Sequence, residues 1–242
     1  MDITKYLPFF STLVTLIFAG AVLQRYLQRR GAHLLLWGLG LVLYAAGTFT
    51  EAALTFGWSA LALRVWYLTG AMLTAAWLGQ GTVHLLVRRR GVAKIATIVL
   101  GVVSLVAVAG VFTAAVNGAG FNAHVPISAQ YKSLMTRSGI TVLLTVLLNI
   151  YGTLTLVGGA ALSAYLFARK RVLPQRVIGN VLIAVGALFP AGAGTLIKLG
   201  LGDWLYLSEL LGAAIMFAGF MVATMQQPDK EPAVPATALA KG

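Results

Sequence analysis

Long apolar segments separated by short polar ones dominate the hydrophobic pattern of this chain. Each apolar segment contains about 20 or more residues, which is enough to cross a bilayer as an α-helix. The pattern predicts seven such helices, over residues 6–27, 33–57, 60–87, 94–116, 138–168, 176–199 and 203–225. We therefore expect an all-α integral membrane protein, with a seven-helix domain over residues 1–225 and a disordered cytoplasmic tail over residues 226–242.

The composition points to the same class of protein. Hydrophobic residues make up 59% of the 242 residues and charged residues only 10%, and the mean hydropathy is +0.88. Cysteine is absent, which excludes disulfides and thiolate chemistry. The three histidines, His33, His84 and His124, are far apart in sequence, so we expect no metal site and no cofactor.

The basic residues lie at the ends of the apolar segments and do not form one patch. Three alternate connections hold most of them: Arg25, Arg29 and Arg30; Arg88, Arg89, Arg90 and Lys94; Arg169, Lys170, Arg171 and Arg176. The positive-inside rule then predicts an external N-terminus and a cytoplasmic C-terminus in a multi-pass cell membrane, such as a bacterial inner membrane. Membrane lipids, and not nucleic acid, are the expected counter-charge for the net charge of +12.

Two stretches depart from the regular helical pattern. The connection over residues 117–137 is the longest, and Pro126 and its glycines argue against a helix in the first half. It is interpreted either as a lid or as a simple excursion of the chain. In the sixth helix, Pro190 lies among glycines, which predicts a kink or local unwinding.

Ionisable residues inside membrane segments are costly and usually face the protein interior with a partner. Glu51, Asp203 and Glu209 map to the outer third of the predicted bundle, as do Arg64 and Lys198. Opposite charges at similar depth suggest pairing of Glu51 with Arg64 and of Glu209 with Lys198. The residues predicted to bind a ligand are Glu51, Arg64, Tyr67, Lys198, Tyr206 and Glu209. The alternative is that the cations reach the headgroups and the aromatic rings anchor the interface.

Seven helices with an external N-terminus resemble the topology of microbial rhodopsins. That family carries its retinal-linked lysine in the middle of the seventh helix, where this chain reads WLYLSELLGAAIMFAGFMVAT without a lysine. We therefore expect no retinal Schiff base.

The first third of the chain resembles the seven-helix N-terminal sensor region of bacterial histidine kinases. The resemblance comprises a basic connection, an apolar helix with Trp37 that ends in Glu51, and a third helix opened by Arg64 and Tyr67. It implies a ligand-sensing module that works through a protein partner or a homo-oligomer.

These observations favour a receptor-like protein that binds a small molecule in the outer third of the bundle. A small secondary transporter using a broken sixth helix, and a structural subunit of a membrane complex, stay open as alternatives. We expect no enzyme and no catalytic residues, because HExxH, GxSxG and paired aspartate motifs are absent from the sequence.

Overall fold

The computed structural model describes residues 6–87, 89, 91–171, 173–200 and 204–225, without the side chains of residues 193, 194 and 196–198. Its helices are α1 (Leu7–Arg29), α2 (Ala32–Leu54), α3 (Ala60–Leu86), α4 (Val92–Phe112), α5 (Ile127–Leu134), α6 (Gly139–Arg169), α7 (Pro174–Lys198) and α8 (Leu205–Thr224). Within these residues, seven helices are long and apolar enough to span a membrane, which confirms the predicted fold class. The predicted tail over residues 226–242 lies outside the described residues.

Two spanning helices contain a π-helical segment, which the sequence pattern did not predict. The segment Tyr67–Leu73 lies within α3, and Leu154–Gly158 lies within α6. Wider turns leave backbone carbonyls that need other donors. In α3, the Ala71 carbonyl accepts from the Asn149 amide of α6 at 2.7 Å, and the Thr69 carbonyl accepts from the backbone N–H of Thr74 and, at 2.8 Å, from its hydroxyl.

The prediction of local unwinding at Pro190 is wrong, because α7 continues through it as an unbroken helix to Lys198. The reason lies in the packing of α7 against α8. A Cβ atom placed on Gly212 of α8 would lie only 2.7 Å from Pro190 Cδ and 2.8 Å from the Gly186 carbonyl oxygen. The α8 backbone thus covers the carbonyl group that proline leaves without its helical donor, one turn earlier.

The long connection between α4 and α6 is folded, and we call residues 115–138 the cap. Its two short strands, β1 (Ala115–Val116) and β2 (Met135–Thr136), pair antiparallel on either side of α5. The apolar face of α5 is buried through Ile127 and Leu134. Residues 117–126 are not helical, as predicted, and the cap packs onto the core through Ile127, Leu134 and Met135.

The bundle divides into two packed halves. In the carboxyl half, α1, α2, α7 and α8 enclose one apolar core, to which α3 and α6 contribute at the boundary. In the cap half, α3, α4 and α6 enclose a second core, which the cap closes at one end. We call that end of the bundle the cap end, and the opposite end, where Arg25, Arg29 and Arg176 lie, the basic end.

A buried carboxyl pair as the candidate functional site

Glu51 lies in the last turn of α2, inside the bundle near the cap end. Its side chain is only 2% exposed. Tyr44 and Thr48 precede it by seven and three residues, so that the three side chains share one face of α2. The carboxyl group adjoins the Trp66 side chain from α3 and the Glu209 carboxyl group from α8.

Glu209 reaches the same place from the first turns of α8. Tyr206 lies one turn earlier on the same face and adjoins both carboxyl groups. The Tyr44 hydroxyl donates to the Glu209 backbone carbonyl at 3.0 Å, which ties α2 to α8 at this depth. Two acidic side chains from helices far apart in sequence thus meet directly.

A hydroxyl face of α1 closes the third side of this site. The Thr12 hydroxyl donates to the Thr48 hydroxyl at 2.9 Å, and Ser11 lies beside the Tyr44 side chain. Ser11 and Thr15 are each 0% exposed and one helical turn apart. We call this group the carboxyl cluster, comprising Ser11, Thr12, Thr15, Tyr44, Thr48, Glu51, Trp66, Tyr206 and Glu209.

The carboxyl cluster contains buried oxygen atoms without a hydrogen-bond partner. They are Ser11 Oγ, Thr15 Oγ1, Glu51 Oε1 and Glu209 Oε2. An unpaired buried polar atom costs about 1–3 kcal/mol of stability, and more when it is charged. Among the described residues, no lysine or arginine lies close enough to either carboxyl group to offset its charge. The cluster therefore has acceptor capacity for a proton or a cation.

The predicted pair between Glu51 and Arg64 is not formed. The Arg64 guanidinium donates to the carbonyl groups of Phe112, Val111 and Ala114, at the end of α4. Those carbonyls have no helical partner, and a guanidinium with five donors satisfies several at once. Arg64 is thus a capping residue for α4 in this structure, on the other half of the bundle from Glu209.

Tyr67 also lies outside the carboxyl cluster, although it is fully buried. Its hydroxyl is 2.9 Å from the Thr145 hydroxyl and accepts from Arg137 at 3.3 Å. Burial alone would lower the pKa of Arg137, but the neighbouring Tyr67 and Tyr131 rings and hydroxyls raise that pKa above its usual value. Arg137 lies 4.8 Å from the Tyr131 ring centroid within the cap and 5.7 Å from the Tyr67 ring centroid, and the contact with Tyr67 fixes the cap onto α3.

The structure thus brings together three of the residues predicted to bind a ligand, Glu51, Tyr206 and Glu209. Arg64 and Tyr67 belong to the cap half. The side chain of Lys198 and all of Asp203 lie outside the described residues, and with them the predicted pair of Lys198 and Glu209. Sequence reasoning missed the hydroxyl face of α1, whose signal was the spacing of Ser11, Thr12 and Thr15 on one helical face.

An apolar layer separates the carboxyl cluster from a cavity at the basic end. The layer surrounds a void of about 20 Å³, room for at most one water molecule, lined by Phe18, Trp37, Leu41, Leu78, Leu156, Ile183 and Met216. Trp37 and Ile183 also line the larger cavity, which measures about 580 Å³. The carboxyl cluster, the apolar layer and the cavity at the basic end therefore follow one another along the carboxyl half.

No protein-family model, curated protein or solved structure matches this chain. Among the described residues, no three His, Asp or Glu side chains gather as metal ligands would.

Proposed function

We propose that this protein is a receptor-like membrane protein, and that the signal it receives is a proton bound between Glu51 and Glu209. The contact between two buried carboxyl groups, each with an unpartnered oxygen, carries the proposal. Two carboxylates in contact and without a cation repel each other strongly, whereas one proton held between them turns repulsion into a hydrogen bond.

The surroundings of the pair suit a proton switch. Among the described residues, the titratable groups that face it are Tyr44 from α2 and Tyr206 from α8. From α3 and α1 the neighbours are Trp66 and Ser11, which do not titrate. Among the described residues, no cation would compensate the negative charge left by loss of the proton, and the expected response is separation of α2 from α8 at the cap end.

Such a movement would be transmitted along two routes. The glycines of α8 pack directly on α7, so the two helices would shift as a unit. Trp66 immediately precedes the π-helical segment of α3, where the backbone hydrogen bonding is already irregular. A protein partner or a second copy of the chain would then read the change, in keeping with the likeness of the first three helices to kinase sensor regions.

Infrared difference spectroscopy between about pH 5 and about pH 9 in lipid nanodiscs tests for the proton. We expect a protonated-carboxyl band that Glu51→Gln and Glu209→Gln each remove. Glu231→Gln makes the same chemical change in the C-terminal segment and should leave the band unaltered. A band that persists in both core variants would refute the proposal.

Distance measurements test the movement. The chain has no cysteine, so spin labels at Phe56→Cys and Trp204→Cys would report only on the cap ends of α2 and α8. Both positions are exposed, which favours labelling without disturbing the core. We expect the distance to increase with pH in the native background and to be independent of pH with Glu51→Gln.

A proton-linked carrier is the second candidate. The 580 Å³ cavity at the basic end, separated from the carboxyl cluster by one apolar layer, favours it. Such an arrangement is typical of a carrier that is open on one side. Proton uptake by liposomes containing the purified protein distinguishes the two functions, since a carrier would show flux that Glu51→Gln abolishes and a receptor would show none.

A further inference from the structure

The cavity at the basic end combines a strongly basic mouth with apolar walls. It lies between the last turns of α1, α3, α6 and α8 and the first turns of α2 and α7, and encloses about 580 Å³. Arg25, Arg29, Lys170 and Arg176 line its mouth, and Trp37 and Phe220 are among its walls. No aspartate or glutamate of the described residues takes part in the lining.

Two of the basic side chains are held in place by the helices themselves. Arg25 Nη2 donates to the Thr224 carbonyl at 2.9 Å, at the end of α8. The Arg176 guanidinium lies 5.5 Å from the centroid of the Phe167 ring. These contacts fix cations from α1 and α7 on opposite sides of one opening, and a fixed opening of this kind is organised for an anion.

Positive-inside topology alone does not explain this convergence. Arg89, between α3 and α4, and Lys94, in the first turn of α4, follow the same rule, but neither lines the cavity. The positive-inside rule does not require cations to surround a shared opening, and cations placed there repel one another. The repulsion among Arg25, Arg29, Lys170 and Arg176 is relieved when an anion lies between them.

The shape of the cavity narrows the class of anion. Its volume is within the range of sites for medium-sized organic ligands and far exceeds a free phosphate ion. Its apolar walls continue toward the hydrocarbon-facing surface, where Ile178 and Leu166 are exposed. We propose that this cavity binds the phosphate group of an anionic phospholipid, with the first part of an acyl chain along the apolar walls.

Native mass spectrometry of the full chain tests this with phosphatidylglycerol and phosphatidylcholine as probes. We expect phosphatidylglycerol to be retained preferentially, and the double variant Lys170→Gln/Arg176→Gln to weaken its binding about 30-fold. The control Arg89→Gln/Lys94→Gln removes the same charge from the same end of the bundle and should change binding less than about twofold. Equal losses in both variants, or no preference in the native chain, would overturn the proposal.

Two further arms make the result decisive. If Lys170→Gln/Arg176→Gln does not fold, as judged by its thermal unfolding, Arg29→Gln/Lys170→Gln replaces it, since neither of those side chains makes the anchoring contacts described above. Glycerol phosphate added to protein in phosphatidylcholine nanodiscs distinguishes a lipid from a soluble phosphate ester. Saturable binding of glycerol phosphate, lost in the cavity variant, would refute the lipid and assign the site to a soluble phosphate ester.

Discussion

The two halves of the bundle treat buried polar groups in opposite ways. In the cap half, Gln80 is fully buried and bonded on every side: its amide donates to Ala93 and Thr97, and its carbonyl accepts from Tyr151. Trp77 and Ser104 bond each other in the same core. Among the described residues, the spanning segments of this half contain no buried side-chain N or O atom without a partner, and its only such atoms, Ser128 Oγ and Arg137 Nε, lie in the cap.

The carboxyl half buries polar oxygens without completing their hydrogen bonds. Ser11, Thr15, Glu51 and Glu209 each keep an unpartnered oxygen at nearly the same depth. Such groups reduce stability, so their concentration in one place is characteristic of a site that acquires a ligand or changes its protonation. Under the proposed function, the cap half would supply the rigid part of the fold and the carboxyl half the responsive part.

The largest expected effect comes from breaking the boundary between α3 and α6 in the cap half. Gly152 of α6 faces the backbone of Ala75 in α3, so a side chain there has no space. Gly152→Leu should lower the free energy of unfolding by about 3 kcal/mol or prevent folding. Gly101→Leu is the control, because a Cβ at Gly101 meets nothing within 4 Å. Similar unfolding curves of the two variants in detergent would show that this boundary is not tightly packed.

A smaller loss should follow from Gln80→Leu, in the saturated cap half. The substitution leaves the Tyr151 hydroxyl without its acceptor, and the expected cost is about 2 kcal/mol. Tyr151→Phe should recover part of that cost in a double-mutant cycle. Glu51→Gln, in the carboxyl half, should change the stability by less than about 1 kcal/mol at neutral pH. Equal costs for Gln80→Leu and Glu51→Gln would remove the contrast between the halves.

The smallest expected effects are two changes in stability of opposite sign, from the same substitution at two positions of α1. Thr15→Val replaces an unpartnered buried hydroxyl by a methyl group and should stabilise the protein by about 1 kcal/mol. Thr12→Val makes the same change where the hydroxyl bonds Thr48 and the Pro8 carbonyl, and should destabilise it by about as much. Chemical denaturation in mixed micelles measures both. A destabilising Thr15→Val would mean that its hydroxyl has a partner after all.

Features of the fold that depend on residues close together in sequence could be predicted. The seven spans depend on runs of apolar residues, and their number was predicted correctly. The depth of Glu51 and Glu209 in the bundle could be predicted from their distance in sequence to the ends of the same apolar runs. The π-helical segments were missed because five to seven residues hardly change an apolar periodicity.

The partners of the charged residues could not be predicted, because they depend on which helices become neighbours. Charge complementarity suggested Arg64 for Glu51, but Arg64 lies closer to the free carbonyls at the end of α4. Glu209 follows Glu51 by more than 150 residues and meets it only because α2 and α8 are adjacent. The cavity at the basic end is likewise assembled from helix ends that are remote in sequence.

The π-helical segment of α3 has a consequence for the evolution of this chain. Deleting one residue from a regular helix rotates everything beyond it by about 100° and shifts it by about 1.5 Å, which would misplace Gln80. A π turn already accommodates one residue more than an α turn. A deletion within Tyr67–Leu73 can convert it to a regular turn and keep both flanking faces in place. This segment is therefore where α3 should tolerate a change in length.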